Sequence, residues 1–328
     1  MGHRRTALAI AWGLVVGATT CTGPTTKAAD PTAAAPSDAE PAPDEPIDVG
    51  TLTGRLVVTG DDAIWTANAD GTGARRLTSG AGPVLDPAWA PDGSRVVYRD
   101  SSRGFNVNDE IYAVDADGGG ATNLTRNPAN DWGPDWSPDG RTIAFNSDRE
   151  GLPMGGFLVD PDGSNVRRIP TDLWVEYPAW SPDGTRIAFM GGESAREYEI
   201  WAIDTDGTDP VQLTDSPGQD GWPAWSPDGE RIAFTSVRDD CARSDAPDCR
   251  TTDTGEDDPY RDVWVVNADG SGLARVTPEF GQFVTWSPDG QYLLVYGYDL
   301  YVIRPDGTGR TPLDITGVPS GVFPDWIE

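Results

Sequence analysis

Trp180-Ser181-Pro182-Asp183-Gly184-Thr185-Arg186-Ile187-Ala188-Phe189-Met190 is the stretch from which the rest of this chain can be read. Its first part, Pro178-Ala179-Trp180-Ser181, is a short apolar strand, and Arg186-Ile187-Ala188-Phe189-Met190 is a second, with the β-branched and aromatic residues that strands favour. Between them, Ser181-Pro182-Asp183-Gly184 is a turn: Pro presets φ at the first central position, Asp follows and Gly closes it. Further on, Glu199-Ile200-Trp201-Ala202-Ile203-Asp204 reads as a third strand and Val211-Gln212-Leu213-Thr214 as a fourth. A second Asp/Gly turn, Asp204-Thr205-Asp206-Gly207, lies between these two. Four short strands separated by turn residues form a meander.

The unit recurs. Tryptophan, a small residue and Pro-Asp-Gly occur at 89–93, 136–140, 180–184, 225–229 and 286–290, and a truncated copy, Pro324-Asp325-Trp326, lies near the C-terminus. The tryptophan spacings are 47, 44, 45, 61 and 40 residues. A period near 40–45 with four strands per unit is the signature of a β-propeller. The second turn type recurs at 68–71, 115–118, 160–163, 204–207, 267–270 and 304–307, which sets the count at six blades. The first copy lacks the tryptophan strand and starts at Arg55-Leu56-Val57-Val58, so Phe323-Pro324-Asp325-Trp326-Ile327 is expected to supply it. Joining the chain ends in one blade closes the ring and removes two exposed sheet edges. The expected fold is therefore all-β: six four-stranded antiparallel blades, closed by the C-terminal strand joining the N-terminal blade.

These residues resemble the TolB-like propellers, the Pro-Asp variant of WD-type repeats, whose pattern W-S-P-D-G-x-x-I-A-F followed by D-I-W-x-x-D-x-D-G and L-T is met over residues 51–328. The resemblance implies the fold, not an activity, because propellers host many functions. TolB carries an α/β domain ahead of its propeller, which the spacer here is too short to hold, so its role in envelope complexes does not transfer.

The N-terminus reads Met1-Gly2-His3-Arg4-Arg5, then an apolar run over residues 7–17 and small residues up to Cys21. This is the layout of a secretory signal, with an apolar stretch too short to span a bilayer. Residues 1–21 are read as a signal ending at a lipidated Cys21. Ala18-Thr19-Thr20 departs from the usual lipoprotein pattern, so cleavage after Ala18 and simple secretion is the alternative. The Arg4-Arg5 pair also hints at a twin-arginine signal, though its flanks fit poorly. Residues 22–50 are rich in Pro, Ala, Thr and Asp, and read as a disordered, extended spacer. The protein is thus expected to be exported, either lipid-anchored on the outer side of the cell membrane or secreted, with no membrane contact beyond the anchor.

The formal net charge is −29, with Lys27 the only lysine. Nucleic acid and anionic lipid are poor partners for such a chain; cationic partners or divalent cations suit it better, and solubility alone is the plainer reading. Besides Cys21 there are Cys241 and Cys249, both in a long insertion at 237–262 between the second and third strands of the fifth blade. An even pair in one loop of an exported protein reads as a disulfide.

Short uniform turns on one face of the disc read as architecture. The other face carries the second-to-third-strand loops at 99–109, 146–156 and 190–198, the Cys-bearing insertion, and the blade-to-blade connections that lead to the central channel. Variable loops on a rigid frame are where binding concentrates. Ahead of the repeat tryptophans lie Asp131, Trp132, Glu176, Tyr177, Asp220, Trp222 and Gln282, with Trp174, Phe283 and Phe323 beside them. They are the candidate ligand-binding residues of an acidic, aromatic-rimmed funnel suited to a cation, a basic peptide end or a sugar; the plainer reading wedges the aromatics between blades and leaves the acids solvated. The repeat tryptophans Trp89, Trp136, Trp180, Trp225, Trp286 and Trp326 are expected in the core. No catalytic residue and no metal ligand is assigned. The Asp-x-Asp-Gly turns lack the further oxygen ligands of a calcium loop, and calcium at the insertion or funnel is the one cofactor kept open. His3 is the sole histidine, so a mature chain without the leader has no Ser-His-Asp triad and no histidine-ligated metal; Gly-x-Ser-x-Gly is absent as well. The leading expectation is a monomeric propeller that binds a protein, peptide or glycan at the cell envelope. The alternative is a carboxylate-dependent glycan-active enzyme using Asp131, Glu176 and Asp220.

Overall fold

The computed structural model describes residues 44–79, 82–151, 154–193, 198–238, 261–277, 281–318 and 322–328. Six four-stranded antiparallel sheets form the blades. Blade 1 runs outward from the axis as Val322–Ile327, Arg55–Gly60, Ala63–Asn68 and Arg75–Arg76, and blade 2 as Val84–Trp89, Arg95–Asp100, Glu110–Asp115 and Thr122–Asn123. The inner strands of blades 3 to 6 are Asp131–Trp136, Trp174–Trp180, Asp220–Trp225 and Phe283–Trp286. In blade 1 the C-terminal strand pairs with the first strand of the chain, Arg55 opposite Ile327 and Leu56 opposite Trp326. The expected ring closure is borne out.

Both turn types behave as their residues dictate. In each Pro-Asp-Gly turn the Gly amide donates to the carbonyl three residues back, at 2.8 Å from Gly184 to Ser181. The Asp side chain accepts from the residue two ahead, as Asp183 does from the Thr185 amide at 3.0 Å. A threonine just after the fourth strand has a matching task in four of the blades. Thr78, Thr125, Thr214 and Thr277 each accept, through Oγ1, the amide of the residue that opens the third strand or follows its first position.

The core lies between blades, in clusters each shared by two neighbours. Trp89 of blade 2 packs with Val57, Ile64 and Leu77 of blade 1, and Trp326 of blade 1 packs with Leu294, Val302 and Leu313 of blade 6. Trp89, Trp136, Trp286 and Trp326 are buried; Trp180 and Trp225 are half-buried. Backbone latches reinforce two junctions. Asp325 accepts the Trp89 amide at 2.8 Å, and Asp135 accepts the Trp180 amide at 2.7 Å.

Residues 44–50, read from composition as part of the spacer, lie against blade 6. Ile47 is 4% exposed and joins the Trp326 cluster, its amide donates to Thr311 Oγ1 at 2.7 Å, and Asp44 accepts from the Gly309 amide at 2.7 Å. Ile47 and Val49 are the large apolar groups of this stretch, and one buried isoleucine is enough to fix it. The leader, Cys21, Cys241 and Cys249 lie outside the described residues.

Replacing Trp326 by Ala should cost about 3–5 kcal/mol, because it empties the closing blade's anchor and removes the indole N–H bond to the Thr53 carbonyl at 2.9 Å. Urea denaturation measures this. A loss under about 1 kcal/mol would mean that the C-terminal strand does not close the ring.

Candidate functional site at the central channel

The inner strands begin earlier than their residue pattern suggests. In blade 4 the strand starts at Trp174, not near Pro178, so most of the candidates stand on inner strands and not in the connections. The reason is a bulge. Register shifts between Glu176 and Ala179, and at the corresponding place in blades 1, 2, 3 and 5. The residue before the proline takes a left-handed φ in each: Asp86 (50°), Gly133 (60°), Tyr177 (49°), Trp222 (52°) and Phe323 (53°). Such φ values are outliers for bulky side chains and are tolerated only where surrounding structure fixes them. Blade 6 has Phe283-Val284-Thr285 with no proline, and its register shows no shift.

Three bulge residues and Phe283 of the unbulged blade 6 put four aromatic rings in series around the channel. Tyr177 and Trp222 have centroids 5.5 Å apart, Trp222 meets Phe283 edge-on at 5.5 Å, and Phe283 meets Phe323 at 4.0 Å. Leu85 and Phe105 pack into the same cluster, so the 101–109 loop reaches down onto this aromatic floor. Arg261 lies over Trp222, 4.8 Å from the ring centre. Tyr177 and Trp222 remain half-buried, while Phe283 and Phe323 are buried.

Beside the floor stands a polar group that the pattern of the repeats did not single out. Asp86 occupies the bulge position of blade 2. Its carboxylate sits 3.9 Å from Arg99 and accepts the Gly133 amide at 3.4 Å. Arg99 also donates to Asp109 through Nε at 2.8 Å and lies 6.0 Å from the Trp132 ring centre. Asn146 accepts the Tyr177 amide at 3.2 Å. Asp86 Oδ1, Asp109 Oδ1 and Asn146 Nδ2 are buried with no partner among the described residues. Burial pushes the Asp86 carboxyl up to about 6, with Arg99 opposing. Gly133 is held to glycine by space as well as φ: a Cβ there would stand 2.9 Å from Asn146 Oδ1 and 3.1 Å from the Tyr177 ring. In the sequence, Asp86 could have been found as the residue before Pro87, aligned with Tyr177 and Trp222.

The candidate acids occupy two kinds of place. Asp131 and Asp220 open the inner strands of blades 3 and 5, are 0% exposed and are each paired with an arginine. Arg149 holds Asp131 through both oxygens at 3.0 Å, and Asn127 adds a bond at 2.7 Å. Asp220 pairs with Arg238 and accepts from Ser236 at 2.5 Å and Ser216 at 3.3 Å. The arginines lie across aromatic rings, Arg149 4.8 Å from Phe157 and Arg238 4.8 Å from Trp264. A Ser-x-Arg at the end of the second strand, Ser147-Asp148-Arg149 and Ser236-Val237-Arg238, is the sequence signal for this pairing. Glu199, beside Asp220, is held above the usual carboxylate range by burial first and by the Asp220 charge second. Glu176 is different. It is 0% exposed, Tyr198 donates to its Oε1 at 3.1 Å, and its Oε2 has no partner among the described residues. Burial pushes it up to about 7. Gln282 enters blade 6 with its amide donating to the Tyr296 carbonyl at 2.7 Å. Trp132 is buried beside Arg99. No group of three or more His, Cys, Asp or Glu placed to hold a metal occurs among the described residues.

A carboxyl whose pKa is raised by folding binds its proton more tightly folded than unfolded. Its burial therefore costs nothing below the unfolded value near 4.5, and costs progressively more as pH rises toward about 7. Glu176→Gln should then leave stability unchanged near pH 4 and raise it by up to about 3 kcal/mol at pH 8, with Gln still accepting from Tyr198. Denaturation midpoints of both proteins across this range test the sign; an equal effect at both ends would place Glu176 in contact with water.

Comparison with known proteins gives a consistent picture. Residues 85–177 match the family described as the TolB beta propeller domain. TolB from Acinetobacter baumannii superposes with a TM-score of 0.65 at 21% identity, over 83% of this chain and 66% of that one. Putative TolB from Agrobacterium tumefaciens gives 0.59 at 23% identity, over 75% of this chain and 88% of that one. A chain of a nidogen/laminin complex gives 0.60 at 14% identity, over 78% and 91%. The chain spans just under two thirds of the Acinetobacter protein's length. No curated protein matches the sequence. Likeness at these identities speaks to the fold, and with the matched repeats and the closed six-blade ring it makes this chain a TolB-like six-bladed β-propeller.

Proposed function

We propose that this protein is an exported binding module that takes a peptide or protein segment at the loop face of the propeller, over the aromatic floor of the channel. The observation that carries the reading is the strained series Tyr177, Trp222, Phe323 with Phe283 between them. Backbone strain at several large side chains around one opening is a cost that a purely structural plug would avoid, and rigid aromatic anchors are what protein recognition uses. The leader, lipidation at Cys21 and a Cys241–Cys249 disulfide belong to this reading on the sequence alone. No helix among the described residues is long and apolar enough to cross a membrane.

A carboxylate-dependent glycan reaction would need two carboxyls that reach the sugar. Asp131, Glu176 and Asp220 are each 0% exposed, and two of them are already bound to arginine. These facts favour binding over catalysis.

Selection of peptides from a displayed random library on the immobilised protein tests the proposal. Trp222→Ala, checked for an unchanged fold, should weaken the selected peptides at least about ten-fold, since it removes the middle of the aromatic series. Glu176→Gln should leave them unaffected. Peptides indifferent to Trp222, or hydrolysis of a glycan mixture that Glu176→Gln abolishes, would overturn it.

A further inference from the structure

The face of tight turns is uniform except at one junction. The residue that opens the second strand or directly precedes it, beside the following blade, is Arg55, Arg95, Arg186, Arg231 and Tyr292 in blades 1, 2, 4, 5 and 6. Blade 3 has Thr142 there. Four of these side chains reach the junctions, while Arg186 turns to its own blade, its Nη2 donating to the Ala202 carbonyl at 3.3 Å. Arg55 lies over Trp89 at 4.6 Å and Arg231 over Trp286 at 4.7 Å, both measured to the ring centre. Tyr292 packs against the cluster that holds Trp326, and Arg95 crosses to the Pro161 carbonyl of blade 3 at 3.0 Å.

At the junction of blades 3 and 4 the short Thr142 leaves a cavity of about 320 Å³. Its walls include Thr142, Trp180, Asp139, Asp183, Gly184 and Ser137. Trp180 is half-buried, and its indole Nε1 is buried without a partner among the described residues. The backbone has not moved to close the gap. The Thr142 amide donates to Ser137 Oγ at 3.0 Å, as the Arg186 and Arg231 amides do to their own serines at 2.9 Å. The cavity thus corresponds to the space that Arg55 and Arg231 occupy over Trp89 and Trp286 at two other junctions.

We propose that this cavity is a second binding site, and that its ligand is an arginine side chain presented by a partner polypeptide. The guanidinium would lie over Trp180 as that of Arg231 lies over Trp286. Charge agrees with geometry. Asp139 and Asp183 are both held below the usual carboxylate range, first by hydrogen bonds from Ser137 and Ser181, and stand anionic at the rim. Arg167, at the same rim, already faces Asp160 at 3.7 Å. Arginine suits the site better than lysine, because a planar guanidinium stacks on an indole while it donates in its own plane. This site lies on the opposite face from the channel mouth, so either reading can fail without the other.

The test uses acetyl-Gly-Arg-Gly-amide and its lysine and citrulline counterparts, read by the indole N–H resonance of Trp180, which Trp180→Phe assigns. The arginine peptide should shift that resonance with a dissociation constant on the order of a millimolar. The lysine peptide should bind several-fold more weakly and the citrulline peptide should not bind. Thr142→Arg should fill the cavity from within, raise the melting temperature and abolish the shift. Should that variant fail to fold, Asp183→Asn should weaken the arginine peptide several-fold. An unmoved Trp180, equal binding of citrulline, full binding to Thr142→Arg, or a neutral hexose that shifts Trp180 where the arginine peptide does not, would each overturn the proposal.

Discussion

A four-stranded blade has two apolar faces and no means of burying either by itself; everything else in this molecule follows from pressing six such sheets face to face. The clusters show this directly, since each draws on two neighbouring blades. The repeat tryptophan is the wedge at each junction, and its own strand extends the contact: Trp89 joins the blade 1 cluster while Ala88 and Ala90 on either side join the blade 3 cluster. A ring built this way needs every junction, and that is why the C-terminal strand must return to blade 1. The Pro-Asp-Gly turn serves the same end, since the proline of one turn packs near the glycine of the next, as Pro138 does near Gly184. The turn's composition is therefore set by the neighbouring blade as well as by its own φ values.

The inner strands face a second constraint. Six strands converge on an axis, and each must fit beside its neighbours where the ring is narrowest. Five of them bulge just before a proline, which removes one amide donor at a place where ladder pairing already lapses. The bulge swings one side chain per blade, and the chain has placed Asp, Gly, Tyr, Trp and Phe in those positions. Bulk on one side of the ring and a glycine beside an aspartate on the other make the channel asymmetric: an aromatic floor under blades 1, 4, 5 and 6, and a polar recess between blades 2 and 3.

The blade count, the turns and the ring closure were legible because each is written several times over in one short code. The funnel was only partly legible. Its residues are there, but the proline in Glu176-Tyr177-Pro178 looks like a strand breaker, so residues that belong to the inner strand read as connection. The acids looked available because a run such as Asp131-Trp132 gives no hint that Arg149, eighteen residues on, returns to the same carboxylate. Pairing of that kind joins separate strands, and only the register of the sheet brings Ser147 and Arg149 alongside Asp131. Ile47 was hidden for a similar reason: the composition of a stretch says what it cannot bury, not where one isoleucine will find a pocket.

A molecule built from near-identical repeats also makes its exceptions informative. The chain has twenty-three arginines and one lysine against fifty-three acids, and the arginines are placed with economy. Some neutralise buried carboxylates, as Arg99, Arg149 and Arg238 do, and others roof the blade junctions, as Arg55 and Arg231 do. A guanidinium can do both because it stacks by its face and donates at its edge. Where the repeat calls for arginine and the sequence has threonine, the neighbouring blades keep their positions and a cavity results, because packed β-sheets do not slide a few ångströms to fill the volume of one side chain. Uniformity on the turn face is thus what makes Thr142 stand out, just as variability on the loop face is what points to the channel. Two different kinds of departure from one repeat mark the channel and the blade 3–4 cavity, the two places where we propose that a partner binds.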